Sequence, residues 1–288
     1  MRTLLNTIAI EPNRWTREKR PARELIDLLP AIKAAGFSRL EAWQYHFSRK
    51  SKDEIMALRD AAAQQGLEFA IAGLYPVFHL EGDEGDAARR EMYGLLDRVA
   101  VLGARWVKFF LGRVAAREIA PRQLELTDSR VHAWINYGRH EHGLSFCAEL
   151  HGGTLFDPFE FGRKYIATKR ELALKVCWQP YGGDDTERCL KIIRELGPEI
   201  VHAHFQPANA AGRCRLPEAD LDYRKIVPAL QAANPAFMPS IEFVPGGFAT
   251  TEKPFRLEAA LADAAADATW IDALLARAES SVSPEPGT

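Results

Sequence analysis

The sequence predicts a single (β/α)8 barrel, and three observations lead to that fold. Short runs rich in β-branched and aromatic residues recur along the chain, segments with helical spacing separate them, and polar side chains follow the last four runs. A chain of 288 residues is long for one ordinary domain but lies in the range where α/β barrels form a single unit. The sequence contains neither an internal repeat nor an interdomain linker.

Eight runs are predicted to form the strands. In chain order they read LLNTIAI, RLEAWQYHF, EFAIAGLY, RWVKFFL, LSFCAEL, LKVCWQP, EIVHAHF and MPSIEFV. Amphipathic segments lie between them, and several of these end in a glycine that can close a helix with a left-handed residue, namely Gly36, Gly66, Gly103 and Gly197. Eight alternating units favour a closed barrel over an open sheet.

The barrel domain is predicted to occupy residues 1–278. The last ten residues, 279–288, read ESSVSPEPGT, a small, polar and proline-rich composition that predicts a disordered tail.

Composition excludes several classes of protein. The formal net charge of −2 argues against a nucleic-acid partner, since phosphate binding usually leaves a basic surface. Four irregularly spaced cysteines without a CxxC pair indicate neither a disulfide framework nor a zinc knuckle. No apolar run is long enough for a membrane span, and the N-terminus does not resemble a signal peptide, so we expect a cytoplasmic protein without a membrane partner.

Polar side chains follow the last four predicted strands. They are Glu149 and His151 in AELHGG, Gln179 in CWQPYGG, His202 and His204 in VHAHF, and Glu242 in SIEFVPGG. Because the carboxyl ends of barrel strands form one face, these side chains are expected to converge at the mouth of the barrel. Buried carboxylates and imidazoles are costly unless they are paired or bind a metal.

The convergent groups predict a divalent metal site. Its ligands are predicted to be Glu149, Gln179, His204 and Glu242, a set that suits Mn, Mg, Co or Zn. The amide oxygen of Gln179 leaves two carboxylates to balance the cation, which should weaken metal binding but leave the ion more electrophilic. Without a metal, Gln179 would instead bind substrate by hydrogen bonds.

Other residues are candidates for substrate binding. Lys108 sits within a strand, where a lysine is costly unless its ammonium reaches the mouth or a partner. His151 either contacts substrate or bonds the glycine-rich loop after it, and Glu41 is a further candidate that could equally face a helix. His202 is interpreted as a hydrogen-bonded core residue one layer deeper. Apolar walls for a sugar are expected from Trp43, Trp178, Phe109 and Phe110, or else these residues pack the core.

The motifs of the second half resemble those of the sugar phosphate isomerase/epimerase family, which has the xylose-isomerase-like barrel. They are Glu-x-His followed by Gly-Gly-Thr-Leu-x-Asp, then Trp-Gln-Pro, His-x-His and Ile-Glu-Phe. The resemblance extends from Leu4 to about Leu275 and implies a metal site at the four positions named above. It also implies a carbohydrate substrate, and it is compatible with a homo-oligomer.

The chain departs from the family's ketose epimerases at strand six. There they have an aspartate and, three residues later, a substrate-binding histidine, where this chain has Gln179 and Gly182. Their arginine after the strand-seven histidine corresponds loosely to Arg213 or Arg215, which makes Arg213 a further candidate for substrate binding. These departures leave the ketose 3-epimerase activity itself open.

The resemblance and the two carboxylates together predict proton transfer next to a carbonyl, with Glu149 and Glu242 acting as a pair whose individual roles stay open. The predicted activity is a metal-dependent sugar isomerase or epimerase acting on a small ketose, keto-acid or polyol derivative. The alternative is a dehydratase or lyase acting on a keto-polyol or keto-glycoside at the same metal site. A non-catalytic sugar-binding barrel is less favoured, because two buried carboxylates without a cation would be costly.

Overall fold

The predicted (β/α)8 barrel is confirmed by the computed structural model, which describes residues 1–248 and 254–280. Eight parallel strands close into a barrel in sequence order, with the last strand paired to the first. The strands are β1 (Leu4–Asn6), β2 (Arg39–Trp43), β3 (Glu68–Leu74), β4 (Trp106–Phe110), β5 (Ser145–Glu149), β6 (Lys175–Trp178), β7 (Ile200–Phe205) and β8 (Met238–Ile241).

An α-helix follows each strand along the chain. The helices are α1 (Leu25–Ala34), α2 (Lys52–Gln64), α3 (Gly82–Leu102), α4 (Pro121–His142), α5 (Phe159–Thr168), α6 (Thr186–Leu196), α7 (Tyr223–Ala233) and α8 (Leu257–Ser280). The loop after β7 also contains a short antiparallel hairpin that pairs Ala208–Asn209 with Gly212–Arg213. Among the described helices, none has the length and apolar character needed to cross a membrane.

Alternation along the strands separates an outer core from the barrel interior. On β5, Phe146 and Ala148 belong to the large apolar core between strands and helices, whereas Cys147 and Glu149, also buried, lie outside that core. A smaller apolar cluster comprises Leu4, Ala70, Ile71 and Met238, with Trp106 against it. These residues lie at or near the amino ends of their strands, so the polar groups of the interior are stacked above an apolar base.

Two register shifts adjust which side chains point into the interior. Pairing between β2 and β3 slips between Leu40 and Glu41, and pairing between β6 and β7 slips between Val176 and Cys177. Such irregularities bend a strand and re-aim its side chains. Glu41 follows the first shift and is completely buried, which places a carboxylate in the middle of the barrel.

Helix α8 extends past the predicted end of the domain. Glu279 and Ser280, which were predicted to begin the tail, are helical. The carboxylate of Glu279 accepts a hydrogen bond of 2.7 Å from Arg2 Nη1 and thereby ties α8 to the start of the chain. The remainder of the predicted tail, 281–288, lies outside the described residues.

A buried aspartate joins α8 to the loop after β7. Asp267 Oδ1 accepts hydrogen bonds from Arg215 Nε at 2.8 Å and from Leu216 N at 3.2 Å, but Asp267 Oδ2 has no partner. Burial raises the pKa of Asp267 from 3.8 to about 6, although the Arg215 guanidinium opposes the shift. The folded state therefore holds a proton on Asp267 at a pH where the unfolded chain has lost it.

We predict that Asp267 makes the protein less stable as the pH rises from about 4 to 6. The stability contributed by the protonated group is complete below pH 3.8 and lost as the pH rises through about 6. The loss is about 3 kcal/mol, and Asp267→Asn, which is neutral throughout, should remove it. Urea unfolding at several pH values measures the slope, with Glu258→Gln, an exposed position on the same helix, as control. An identical slope in wild type and Asp267→Asn would contradict the prediction.

Candidate active site

A cavity of about 260 Å³ opens at the carboxyl ends of the strands. Its walls are largely aromatic, its floor carries two carboxylates, and its rim carries two cationic side chains. The lining residues are Trp15, Lys19, Trp43, Tyr45, Tyr75, Phe110, Arg113, Glu149, His151, Gln179, Gln206, Glu242 and Phe243. This is the face on which a (β/α)8 barrel places its chemistry.

Three side chains from β5, β7 and the end of β8 bring ligand atoms together at the floor of the cavity. His204 Nδ1 lies 3.7 Å from Glu149 Oε1 and 3.4 Å from Glu242 Oε2. The ligand atoms of the three residues all lie within 4.8 Å of one another. His204 Nδ1 and Glu242 Oε2 are buried without a hydrogen-bond partner, which is unusual in a native protein and leaves both atoms free for a ligand.

The spacing of these atoms fits a divalent cation. Ligand atoms about 2.1 Å from one ion lie about 3.0 Å apart in octahedral geometry and about 3.4 Å apart in tetrahedral geometry. The separations of 3.4 and 3.7 Å at His204 Nδ1 are close to those values. Two carboxylates and an imidazole are a ligand set used by Mn, Co and Zn.

Glu41 lies beneath this site and fixes the orientation of His204. Both carboxylate oxygens of Glu41 lie about 3 Å from His204 Nε2, at 3.0 and 2.9 Å. Nε2 therefore carries the proton that it donates to Glu41, and Nδ1 faces the other two ligand residues. A carboxylate in this position orients a metal-binding imidazole and sets its tautomer. Glu41 was predicted to bind substrate, but it is completely buried and does not line the cavity.

His202 forms the charged partner of Glu41, in agreement with its predicted place one layer deeper. Its Nδ1 lies 2.7 Å from the carbonyl oxygen of Met238, and its Nε2 lies 2.9 Å from Glu41 Oε2. Both neighbours accept hydrogen bonds, so both ring nitrogens carry protons and the ring is an imidazolium. Burial opposes this charge, but Cys177 and Glu41 outweigh it and raise the pKa of His202 to about 9.

Lys108 neutralises Glu149 from inside the barrel. Its Nζ donates to Glu149 Oε2 at 2.5 Å and lies 4.0 Å from Glu41 Oε1. Gly73 on β3 leaves room for the side chains of Lys108 and Glu41, since a Cβ there would come within 3.2 Å of Lys108 Cε and 3.3 Å of Glu41 Oε1. Burial disfavours the ammonium, but Glu149 and its neighbours raise the pKa of Lys108 well above its ordinary value. Of the two alternatives left open for Lys108, the mouth or a partner, its ammonium has the partner, and Lys108 does not line the cavity.

Gln179 reaches the cavity as predicted, held in place by two hydrogen bonds. Its Nε2 donates to the carbonyl oxygen of Leu150 at 2.8 Å, and its Oε1 accepts from Gln206 Nε2 at 2.9 Å. Gln206 in turn accepts from Arg213 Nη2 at 3.2 Å. This chain fixes which end of each amide faces which partner, and the oxygen of Gln179 keeps one further lone pair for a ligand.

Three other residues predicted to bind substrate differ from one another in where they lie relative to the cavity. His151 lines the cavity, where its ring stacks on Phe110 with centroids 4.3 Å apart and its Nδ1 lies 2.6 Å from the carbonyl oxygen of Gly152. Trp178 does not reach the cavity, because it is fully buried in the outer core beside Phe205. Arg213 does not line this cavity. It donates hydrogen bonds to Gln206 and lines an adjoining cavity that shares His151, Gln179 and Gln206 with the first.

Strand alternation explains the remaining aromatic residues. Trp43 and Phe110 line the cavity as expected. Phe109 is one position from Phe110 on β4, so it faces outward and packs in the outer core together with Trp134.

Sequence reasoning missed part of the cavity wall. Gln206 could have been found, because it continues the two-residue alternation of His202 and His204. Tyr75 similarly follows Gly73 by two positions at the end of β3. Residues of the long loop after β1 have no such periodic signal, and only the folded chain brings them to the rim.

No family model matches the chain, and no match was found among curated protein sequences. Solved structures do resemble it. D-psicose 3-epimerase from Clostridium cellulolyticum H10, whose structure contains D-tagatose, has a TM-score of 0.72 at 16% identity over 96% of this chain and 99% of its own. A probable 3-DHS dehydratase from Bacillus anthracis has a TM-score of 0.67 at 16% identity over 91% and 97%.

A third solved structure is a xylose isomerase-like TIM barrel protein from Mycobacterium smegmatis in complex with magnesium. It has a TM-score of 0.64 at 14% identity over 96% of this chain and 97% of its own. At these identities the similarity is one of fold. The chain has the xylose-isomerase-like barrel that its motifs predicted.

We predict that Glu41→Gln strongly destabilises the protein. An amide can accept only through its oxygen, so the imidazolium of His202 would lose its buried counter-charge. Loss of one partner of a buried ion pair costs about 3–5 kcal/mol. Ser240→Ala is the matched control, because it removes the 3.0 Å hydrogen bond from Ser240 Oγ to Glu41 at a cost of about 1 kcal/mol. Urea unfolding at pH 7 compares the two, and equal losses would contradict the assigned role of Glu41.

Proposed function

We propose that the protein is a metal-dependent sugar isomerase or epimerase. Its substrate would be a small ketose, keto-acid or polyol derivative, and its reaction a proton transfer next to a carbonyl. One observation carries the proposal: His204 Nδ1 and Glu242 Oε2 are buried without partners beside Glu149, at the floor of a cavity of about 260 Å³. The epimerase among the similar structures supports the sugar class of substrate.

The residues that would hold the metal are Glu149, His204 and Glu242, with Gln179 as a fourth ligand through its remaining lone pair. A bound divalent cation would polarise a substrate carbonyl and stabilise the negative charge left when the adjacent carbon loses its proton.

The other steps of the proposed reaction would be carried out by side chains of the protein. Glu149 and Glu242 both approach His204 Nδ1, at 3.7 and 3.4 Å, so they can serve as a pair that removes and returns the proton. Return from the opposite side to the same carbon gives an epimer, and return to the neighbouring carbon gives an isomer. Lys108 holds Glu149 in a fixed position, and the aromatic walls orient the sugar and exclude water.

A dehydratase at the same site is the second candidate, and Tyr75 is the observation that favours it. Tyr75 lines the cavity and its ring centroid lies 4.9 Å from Lys108 Nζ. Burial raises the pKa of Tyr75 in spite of the Lys108 charge, so its hydroxyl stays protonated at neutral pH. Elimination of a β-hydroxyl is helped by a hydrogen-bond donor at the leaving oxygen, and the protonated Tyr75 hydroxyl is a donor additional to the two carboxylates.

We predict that the purified protein binds about one divalent cation per chain. Glu149→Gln and His204→Gln should each lose most of the metal, because each removes a charged or soft ligand while keeping the side chain's bulk. Elemental analysis after loading with Mn, Co, Zn or Mg measures the content and identifies the preferred ion.

His151→Ala is the control for that measurement. It alters the cavity wall but none of the three ligands, so it should retain the metal of the wild type. Circular dichroism establishes that the variants are folded. A wild type that stays metal-free with every ion would refute the metal centre, and Glu149 and Glu242 would then be left as metal-free acid–base groups or hydrogen-bonding groups of a sugar-binding barrel.

We predict that the metal-loaded protein exchanges a substrate C–H proton with solvent. Incubation of ketoses and keto-polyols in D2O, followed by NMR, should show deuterium next to the carbonyl, and Glu242→Gln should slow it by about 100-fold or more. Deuterated epimer or isomer as product supports the first candidate. An unsaturated keto product that Tyr75→Phe no longer forms would favour the dehydratase, and no exchange with any of these substrates would count against both.

A further inference from the structure

The rim of the cavity carries two cationic side chains that have no acidic partner. Lys19 lies on the loop after β1, and Arg113 lies on the loop after β4. Within residues 1–248 and 254–280, neither side chain is within ion-pair distance of a carboxylate. Both side chains line the cavity, so their charges face whatever binds there.

A continuous aromatic wall connects the two cations. Lys19 Nζ lies 6.0 Å from the ring centroid of Tyr45, which stacks on Tyr75 at 6.2 Å. Tyr75 in turn meets Phe110 at 5.0 Å, and Arg113 Cζ lies 5.3 Å from the Phe110 centroid. The cations therefore occupy the two ends of one wall of the cavity.

The position of Lys19 is fixed by its backbone conformation and by a hydrogen bond of its side chain. Its φ of 48° lies in the left-handed region that a non-glycine residue adopts only at a cost. Its Nζ donates to the carbonyl oxygen of Arg14 at 3.2 Å. Arg14 is itself buried and donates to the carbonyl oxygens of Glu11 and Gly247, which fastens this loop to the loop after β8.

The local charge distribution favours an anion at the rim. Burial and the nearby charge of Arg113 lower the pKa of Lys19, so the two cations repel each other. The acids that line the cavity, Glu149 and Glu242, are both at the floor, and Glu149 is already paired with Lys108. The positive rim stands out in a protein whose formal charge is −2.

We propose that the substrate carries an anionic group, a carboxylate or a phosphate, which binds at the rim between Lys19 and Arg113 while its carbonyl end reaches the floor. The placement of the reacting end rests on the proposed function. A cavity of about 260 Å³ is smaller than the range of about 300–1,000 Å³ typical of drug-sized ligands. The substrate class is therefore a single sugar-sized molecule with one acidic substituent, either a keto-sugar acid or a sugar phosphate.

The test compares three ketoses that differ only at C6. D-fructose carries a hydroxymethyl group there, D-fructuronate a carboxylate and D-fructose 6-phosphate a phosphate. Calorimetric titration of the metal-loaded full chain gives the affinity for each. We expect at least one anionic form to bind about tenfold or more tightly than D-fructose, and this preference to shrink between about 20 and 300 mM NaCl. The stronger of the two anionic forms identifies the acidic group.

Charge-removing variants locate the site. Lys19→Gln and Arg113→Gln should each reduce the preference for the anionic form about threefold or more. Arg20→Gln is the matched control, since Arg20 is exposed, pairs with Glu18 and does not line the cavity, and it should leave the preference unchanged.

Three results would overturn the anion site. They are equal affinity for the three ketoses, a preference for the anionic form that is unchanged in both Lys19→Gln and Arg113→Gln, and no binding of either anionic form. Metal content and proton exchange are measured independently of these affinities. A protein that holds its metal and exchanges protons on neutral ketoses, without any preference for the anionic forms, would retain the proposed function and lose only the rim site.

Discussion

The buried carboxylate of Glu41 is the interaction on which the rest of the site depends. It accepts hydrogen bonds from His202, His204 and Ser240 at 2.9–3.0 Å, in a barrel interior with no exposed surface. A carboxylate in that position is costly unless its charge is compensated, and the imidazolium of His202 supplies the compensation. Because the N–H at Nε2 of His204 donates a hydrogen bond to Glu41, the other ring nitrogen, Nδ1, faces the cavity floor. The residues beneath the cavity thus determine which nitrogen of His204 is available to a ligand at the cavity floor.

The cavity is built in three levels of different physical character. At the floor, Glu149 and Glu242 lie beside His204 in a geometry that suits a cation. Aromatic side chains form the walls and keep the charged groups away from bulk water, which strengthens their electrostatic effect. The rim is cationic through Lys19 and Arg113. A ligand that matches all three levels has an electron-rich oxygen at one end, a ring-sized body and a negative charge at the other end.

Much of this site follows from strand periodicity alone. Glu149, Gln179, His204 and Glu242 end consecutive strands, and the shared carboxyl face of a barrel brings them together. The same periodicity explains which of the aromatic candidates do not reach the cavity. Trp178 and Phe109 are aromatic residues beside site residues, but each lies one position away and faces the helices instead. For Lys108, a lysine inside a strand needs either the mouth or a partner for its ammonium, and the fold supplies the partner Glu149.

The sequence by itself determined the eight alternating units, the closed barrel and the group of residues at its mouth, because these depend on local periodicity and on a face that every parallel barrel shares. Only the tertiary structure decided the depth of each group. Register shifts beside Glu41 and Cys177, and the space left by Gly73, put Glu41 and Lys108 below the cavity. The rim likewise depends on a loop fastened by Arg14 to Gly247, a contact between residues 233 positions apart. Local sequence has no period that records such distant contacts, so they appear only when the chain has folded.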